Sequence, residues 1–301
     1  MHENQLGVTV DVVRDLVSRQ FPEWELLSIA PVRSEGTVNA IFRIGDGLAA
    51  RFPLLPGDVD ATRQWLMSEA DAALELIEHT SFAVPKPVAI GEPGAGYPLP
   101  WSVQTWIPGT TASQEDSSTS ADFAHDLARF IDQVRAIDVR GRPFSGNGRG
   151  GDLRSHDEWM DVCFEQSEPL SDVSWLRRTW ARLRDLPRES SDLMTHGDLT
   201  PGNVLVANGR LAGILDVGGL GPADPALDLV SAWHLLDTGR SELLREDLRC
   251  DELEWERGKA WAFVQAMGAI WYYRSSNPPM SRMGLRTLER IRADAPDSLK
   301  I

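Results

Sequence analysis

Lysine is almost missing from this 301-residue chain: Lys86, Lys259 and Lys300 are the three among 30 basic residues, and the remainder are arginines. Cysteine is scarcer still. Cys163 and Cys250 are too few and too far apart to suggest a disulfide framework or a zinc site. No apolar run approaches the length of a membrane span, and Met1-His2-Glu3-Asn4-Gln5 lacks the basic-then-apolar pattern of a secretory signal. Positive charge is in deficit as well, with 45 acidic residues facing 30 basic ones for a formal charge of −15. That balance argues against a protein whose main task is to coat nucleic acid or an anionic membrane. The expectation is a cytoplasmic monomer with no nucleic-acid and no membrane partner. With 42% hydrophobic residues the chain is long enough to bury a core in one large or two moderate domains.

What is present divides in two. Residues 1–106 read as mixed α/β: a helix over 9–21 with Thr9 as its N-cap, strands at 26–32, 38–44 and 48–52, a helix over 61–79, and strands at 87–90 and 101–106. Gly45-Asp46-Gly47 is the tight turn between the second and third strands. Residues 107–120 are polar and rich in breakers, which predicts a hinge. Residues 121–301 are mainly helical, over 121–138, 174–186, 226–237, 253–276 and 281–294. A short β interlude interrupts them at 193–195, 204–206 and 211–215, with Asn208-Gly209 as its hairpin turn. The pattern is α+β: a small β-rich lobe, a hinge, and a larger helical lobe.

The chemistry concentrates in that interlude. His196-Gly197-Asp198-Leu199-Thr200-Pro201-Gly202-Asn203 is followed, after a hairpin, by Asp216-Val217-Gly218. One carboxylate sits in a loop, an amide follows five residues later, and a second carboxylate ends a strand. Phosphoryl transfer from a nucleotide needs such groups: Asp198 to orient an attacking hydroxyl and accept its proton, and Asn203 with Asp216 to hold magnesium against the triphosphate. The glycine of Asp-Val-Gly gives the backbone room beside the metal. A metal-dependent hydrolase is the poorer reading, since no second histidine follows until His234.

The segment H-x-D-L-x-x-x-N followed by D-x-G resembles the catalytic and metal loops of the protein-kinase-like fold, and Gly197 in place of the usual arginine resembles the aminoglycoside phosphotransferase family of antibiotic kinases. Gly221-Pro222-Ala223-Asp224-Pro225-Ala226-Leu227-Asp228-Leu229 and the 261–278 stretch with Tyr272-Tyr273-Arg274 carry the same likeness. The resemblance implies a bilobal kinase-like fold, with an antiparallel-sheet N-terminal lobe for the nucleotide and a helical C-terminal lobe for catalysis and acceptor. It also implies a packing role for His196. Asp224 and Asp228, at the start of a predicted helix, read as structural support.

Within that family fold, the turn Ser34-Glu35-Gly36-Thr37 lies over the phosphates, with Ser34, Gly36 and Thr37 as contacts. The third strand then supplies a cation. Its residue is Arg51, because no lysine stands in register, and the usual partner on the next helix is Glu69. Glu75 and Glu78 read as a solvated face. The base falls at the hinge, near Gln104, Trp106 and Ile107. There is no P-loop. Gly146-Asn147-Gly148-Arg149-Gly150-Gly151 matches G-x-G-x-x-G, but no strand leads into it, so it reads as a surface loop.

The acceptor is open. The negative charge is shared almost evenly by residues 1–110 and 111–301, so it marks no polycation site. Trp159, Trp233, Trp271, Tyr272 and Tyr273 either line an apolar groove, with Trp233, Trp271 and Tyr272 as substrate contacts, or belong to the core. Three readings stand: a magnesium- and ATP- or GTP-dependent kinase of an antibiotic, aminoglycoside first and macrolide second; a kinase of an ordinary metabolite; and a catalytically silent binding module.

Overall fold

A computed structural model describes residues 5–32, 38–146 and 148–294. The chain forms two compact units. The first comprises Met1–Glu78, Ala83–Pro108 and Gly213–Gly218; the second comprises His79–Phe82, Gly109–Ala212 and Gly219–Ile301.

The first unit starts with helix α1 (Val10–Gln20), whose N-terminus is closed by the Thr9 hydroxyl accepting from the Val12 N–H. Strands β1 (Ile29–Val32), β2 (Asn39–Ile44) and β3 (Leu48–Pro53) lead to helix α2 (Val59–His79), then β4 (Pro87–Gly91) and β5 (Trp101–Thr105). They form one antiparallel sheet in the order β1-β2-β3-β5-β4. Alternation along β3 decides its two faces. Ala50 and Phe52 enter a core with Val13, Leu16 and Val17 of α1, while Arg51 between them points to the opposite face. Phe52 stacks on Trp101 at 4.8 Å and takes the edges of Phe42 and Tyr97. Leu26, expected to begin a strand, is instead 97% exposed and follows a 3-10 turn over Pro22–Trp24. Gly213 closes the unit by bridging to Ala83, and the Ile214 N–H donates to the Ala83 carbonyl at 2.9 Å.

The second unit contains β6 (Thr110–Thr111), helices α3 (Ala121–Arg135), α4 (Asp157–Ser167) and α5 (Val173–Leu183), and strands β7 (Leu193–Thr195), β8 (Val204–Ala207), β9 (Arg210–Ile214, whose last two residues belong to the first unit) and β10 (Gly221–Ala223). Helices α6 (Val230–Leu235), α7 (Thr238–Leu248), α8 (Glu252–Tyr272) and α9 (Pro278–Ala293) follow. β6, β8 and β9 form one small sheet, and β7 pairs with β10 in another. Helix α8 is the axis of this unit: Trp261, Phe263, Val264, Met267 and Ile270 are buried, and α4, α5, α6 and α9 pack on it.

Two helices are absent from the expectation. α7 buries only Leu244, so no apolar stripe announces it. α4 keeps Trp159 and Val162 exposed beside buried Met160, Cys163 and Phe164, which blurs its period. The expected helix over 226–237 begins as a 3-10 turn, Pro225–Leu229, closed at its start by the Asp224 side chain. Among the described residues no helix is long and apolar enough to cross a membrane.

Candidate active-site residues

In the first unit the antiparallel register sets Arg51 opposite Ile41 and Ser102. Its guanidinium forks to two carboxylates: Nη1 donates to Glu69 Oε2 at 2.9 Å and Nη2 to Asp216 Oδ1 at 3.3 Å. Glu69 is a buried acid on α2, and burial pushes its carboxyl above the usual range more strongly than Arg51 pulls it down. Asp216 sits in the left-handed region, φ 57°, with its side chain half exposed.

The glycine of Asp-Val-Gly has a specific reason here. A Cβ at Gly218 would stand 2.7 Å from Glu69 Oε1, so the room that this glycine leaves is occupied by the Glu69 carboxylate. Arg51, Glu69, Asp216, Gln104, Val88 and Ile90 line a cavity of about 220 Å³. Trp106 and Ile107 do not line it. The Trp106 N–H donates to the Gly47 carbonyl at 2.8 Å and its indole lies under Arg43, while Ile107 lies against Gly213. Ser34, Gly36 and Thr37 fall outside the described residues.

In the second unit the loop after β7 is held from below. Asp228, fully buried, accepts the backbone N–H of His196 at 2.7 Å and of Gly197 at 2.9 Å. Burial pushes its carboxyl up, and those two backbone donors, with the charge of Arg135, pull it back. Asp224 is bolted to α8: its Oδ2 accepts from Arg257 Nε and Nη2 at 2.9 and 2.6 Å and from Trp261 Nε1 at 2.9 Å. His196 is buried, and its Nδ1 accepts the Asp198 N–H at 3.3 Å.

Asp198 is therefore carried on a braced loop with its carboxylate only 38% exposed. Asn203 Nδ2 donates to Asp198 Oδ2 at 2.8 Å and to its carbonyl at 3.0 Å. Arg149 Nη2 donates to Asp198 Oδ1 at 2.9 Å, and Gln265 Nε2 reaches the same oxygen at 3.2 Å. Gln265 in turn accepts from buried His234 at 2.6 Å. Arg149, Gln265 and His234 were not legible as partners of Asp198. Their one signal in the sequence was the glycine pattern around Arg149, set aside as a surface loop.

Asp198, Arg149, Thr200 and Gln265 open on a cavity of about 550 Å³ within this unit, walled by Trp159, Tyr272, Tyr273 and Met283. Of the three aromatic residues expected at a substrate, Tyr272 lines it. Trp233 is buried against Trp255 in a separate cleft with Thr238 and Arg245, and Trp271 packs on Trp159 and Tyr272 from outside the lining. No group of three or more His, Cys, Asp or Glu among the described residues is arranged to hold a metal.

The model of the phosphotransferase enzyme family matches residues 33–263. The aminoglycoside 3'-phosphotransferase of Streptomyces fradiae is 30% identical over 219 residues, 68% of this chain and 73% of that one. The Escherichia coli enzyme of the same name is 29% identical over 143 residues, and there the chain spans about half of the relative's length, 52%. Among solved structures, the GDP complex of aminoglycoside 2'-phosphotransferase-IIIa shares the fold with a TM-score of 0.72 at 20% identity, over 95% of this chain and 99% of that one. The macrolide 2'-phosphotransferase of Brachybacterium faecium shares it with a TM-score of 0.62 at 17% identity, over 92% and 98%.

Proposed function

Because this chain belongs to the phosphotransferase enzyme family, we propose that it is a nucleotide-dependent kinase that moves the γ-phosphoryl group of ATP or GTP to a hydroxyl of a small-molecule antibiotic. The acceptor classes are those named for its relatives, aminoglycosides and macrolides. The supporting observation is the fork of Arg51 between Glu69 and Asp216 at the edge of a lined cavity. A guanidinium fixed at one nitrogen by a buried carboxylate is pre-organised to meet phosphate oxygens with the rest of its planar face.

In this reading Asp198 orients the acceptor hydroxyl and takes its proton, as direct in-line transfer requires, with no phosphoenzyme. Asn203 and Asp216 are the residues for magnesium, which when bound neutralises the phosphate charge that shifts during transfer. Their chemistry suits that ion: Asp216 offers a carboxylate, and Asn203, whose amide nitrogen is spent on Asp198, keeps its carbonyl oxygen as a hard donor. Gln104 faces the same cavity as Arg51 and serves the nucleotide, with Ser34, Gly36 and Thr37 as phosphate contacts and Trp106 and Ile107 beside the base. The lobes run over 1–106 and 121–301 with 107–120 as the hinge, and the setting is the cytoplasm, where the chain acts as a monomer.

The test is phosphoryl transfer from ATP and from GTP, with magnesium, to a panel of hydroxyl acceptors. Asp198→Ala should lower kcat by about 10²–10⁴-fold and leave nucleotide affinity almost unchanged. Near-normal turnover in that variant would overturn the assignment of Asp198.

A further inference from the structure

The stretch over residues 148–151 has no place in nucleotide binding as described, yet it is built to a tight specification. Gly148 and Gly150 lie at φ 80° and 100°, and a Cβ on Gly150 would come 2.7 Å from the Ala223 Cβ. The Gly150 carbonyl accepts the Asp224 N–H at 2.9 Å, which anchors the loop beside the strand β10. The consequence is the position of Arg149 between these glycines. Its Nη2 reaches Asp198 Oδ1 at 2.9 Å and the Gly197 carbonyl at 3.4 Å, with the side chain only 30% exposed.

This contact changes the charge of the cavity that holds Asp198. Among the described residues its lining contains one acid, Asp198, and one arginine, Arg149, already bonded to each other. His156 adds no charge near neutral pH, because burial lowers its pKa from the ordinary value. The Trp159–Trp271–Tyr272–Tyr273 cluster stands beside this pair with centroid separations of 5.0–5.7 Å. Trp159 and Tyr272 keep about two-fifths of their surface exposed. Met280, Met283 and Val264 complete an apolar wall.

A molecule with several ammonium groups would have to desolvate them in a cavity where the one carboxylate among the described lining residues is neutralised, at a cost that unpaired charges do not recover. A drug-sized molecule with an apolar or aromatic body fits both the lining and the volume of about 550 Å³. One of its hydroxyls would meet Asp198, and Thr200 and Gln265 offer hydrogen bonds beside it.

We propose that the acceptor is a hydroxyl on an uncharged or singly charged molecule with an apolar body, and that Arg149 sets this selectivity by cancelling the charge of Asp198 inside the cavity. The proposal rests on the kinase reading above and narrows its acceptor. Arg149 is a positioning and selectivity residue rather than a donor to the reacting phosphoryl group.

The experiment compares kcat/KM of the full chain, with magnesium and ATP or GTP, for three acceptors: an uncharged aromatic glycoside, a macrolide carrying one amine, and an aminoglycoside carrying several. The better of the first two should exceed the aminoglycoside by about 30-fold or more. Preference for the aminoglycoside overturns the acceptor class and leaves the kinase reading standing. Transfer to none of the three or to any small alcohol, with no magnesium-dependent nucleotide binding, overturns the kinase reading and this proposal with it.

Arg149→Gln, checked for folding by its melting temperature, should shift the ratio of aminoglycoside to uncharged acceptor by about 10-fold toward the polycation. Arg149→Lys should keep the ratio of the original chain. A ratio unchanged by Arg149→Gln, whatever its effect on kcat, removes the selectivity role of Arg149.

Discussion

His234 donates to Gln265 across 2.6 Å, and that single hydrogen bond decides which way the Gln265 amide faces. Because Gln265 Nε2 points to Asp198, its Oε1 must accept, so the His234 proton resides on Nε2 while Nδ1 takes the Thr287 hydroxyl at 2.8 Å. A chain of oriented groups therefore runs from α9 through α6 and α8 to the carboxylate expected to meet the acceptor. Burial of His234 requires that its imidazole stay neutral.

The pH dependence follows from that requirement. Burial lowers the His234 pKa to about 4, helped by the charges of Arg149 and Arg290 and opposed by Gln265 and Asp198. The unfolded chain, with an ordinary histidine near 6.5, takes up its proton first as the pH falls. Stability from this group is thus complete above pH 6.5 and declines toward pH 4, by about 2 kcal/mol between pH 6.5 and 5. Urea unfolding at those two pH values should show the loss, and His234→Gln should flatten it. An identical slope in the variant would assign the loss to another group.

Gly218→Ala should act through Glu69. The new Cβ would lie 2.7 Å from Oε1 and 2.8 Å from Cγ of that side chain, so the carboxylate must leave Arg51 or the backbone must move. The expected cost is about 1–3 kcal/mol, with weaker nucleotide binding. In a Glu69→Ala background the same substitution should cost almost nothing. A double-mutant cycle by urea unfolding measures the difference, and equal costs in both backgrounds would separate the two residues.

Arg51 distinguishes charge from geometry. An ammonium in Arg51→Lys is a point charge and cannot hold Glu69 and Asp216 together, so nucleotide affinity measured by calorimetry should fall about 10-fold, and about 100-fold in Arg51→Ala. Arg51→Ala also leaves Glu69 buried without its cation. Its carboxyl, already pushed up by burial, is then tolerated protonated and costly ionised, so the variant should lose stability as pH rises above the ordinary carboxylate range. A pH-independent loss would indicate that the pair is replaced by solvent.

The five-stranded sheet, the principal helix α2 and the hairpin at residues 45–47 were legible because each rests on local alternation or on turn residues adjacent in sequence. Helix α7 was not, since its stability comes from one buried leucine and packing on α3 rather than from a stripe of its own. Trp233 and Trp271 could not be separated from Tyr272 by composition, because aromatic side chains at helical spacing look alike until the neighbouring helices decide which of them is covered.

By itself the sequence determined the chemical vocabulary: the loop with Asp198 and Asn203, the strand-end Asp216, and, through the scarcity of lysine, an arginine at the position facing the α2 carboxylate. These depend on residue type at short spacing. The tertiary structure alone decided what surrounds Asp198. Arg149 and Gln265 lie 49 and 67 residues from it in sequence and reach it only because a glycine-shaped loop and a buried helix are brought to one cavity. Such contacts follow from the packing of whole elements, and no local pattern encodes the net charge of a cavity built from so many distant segments.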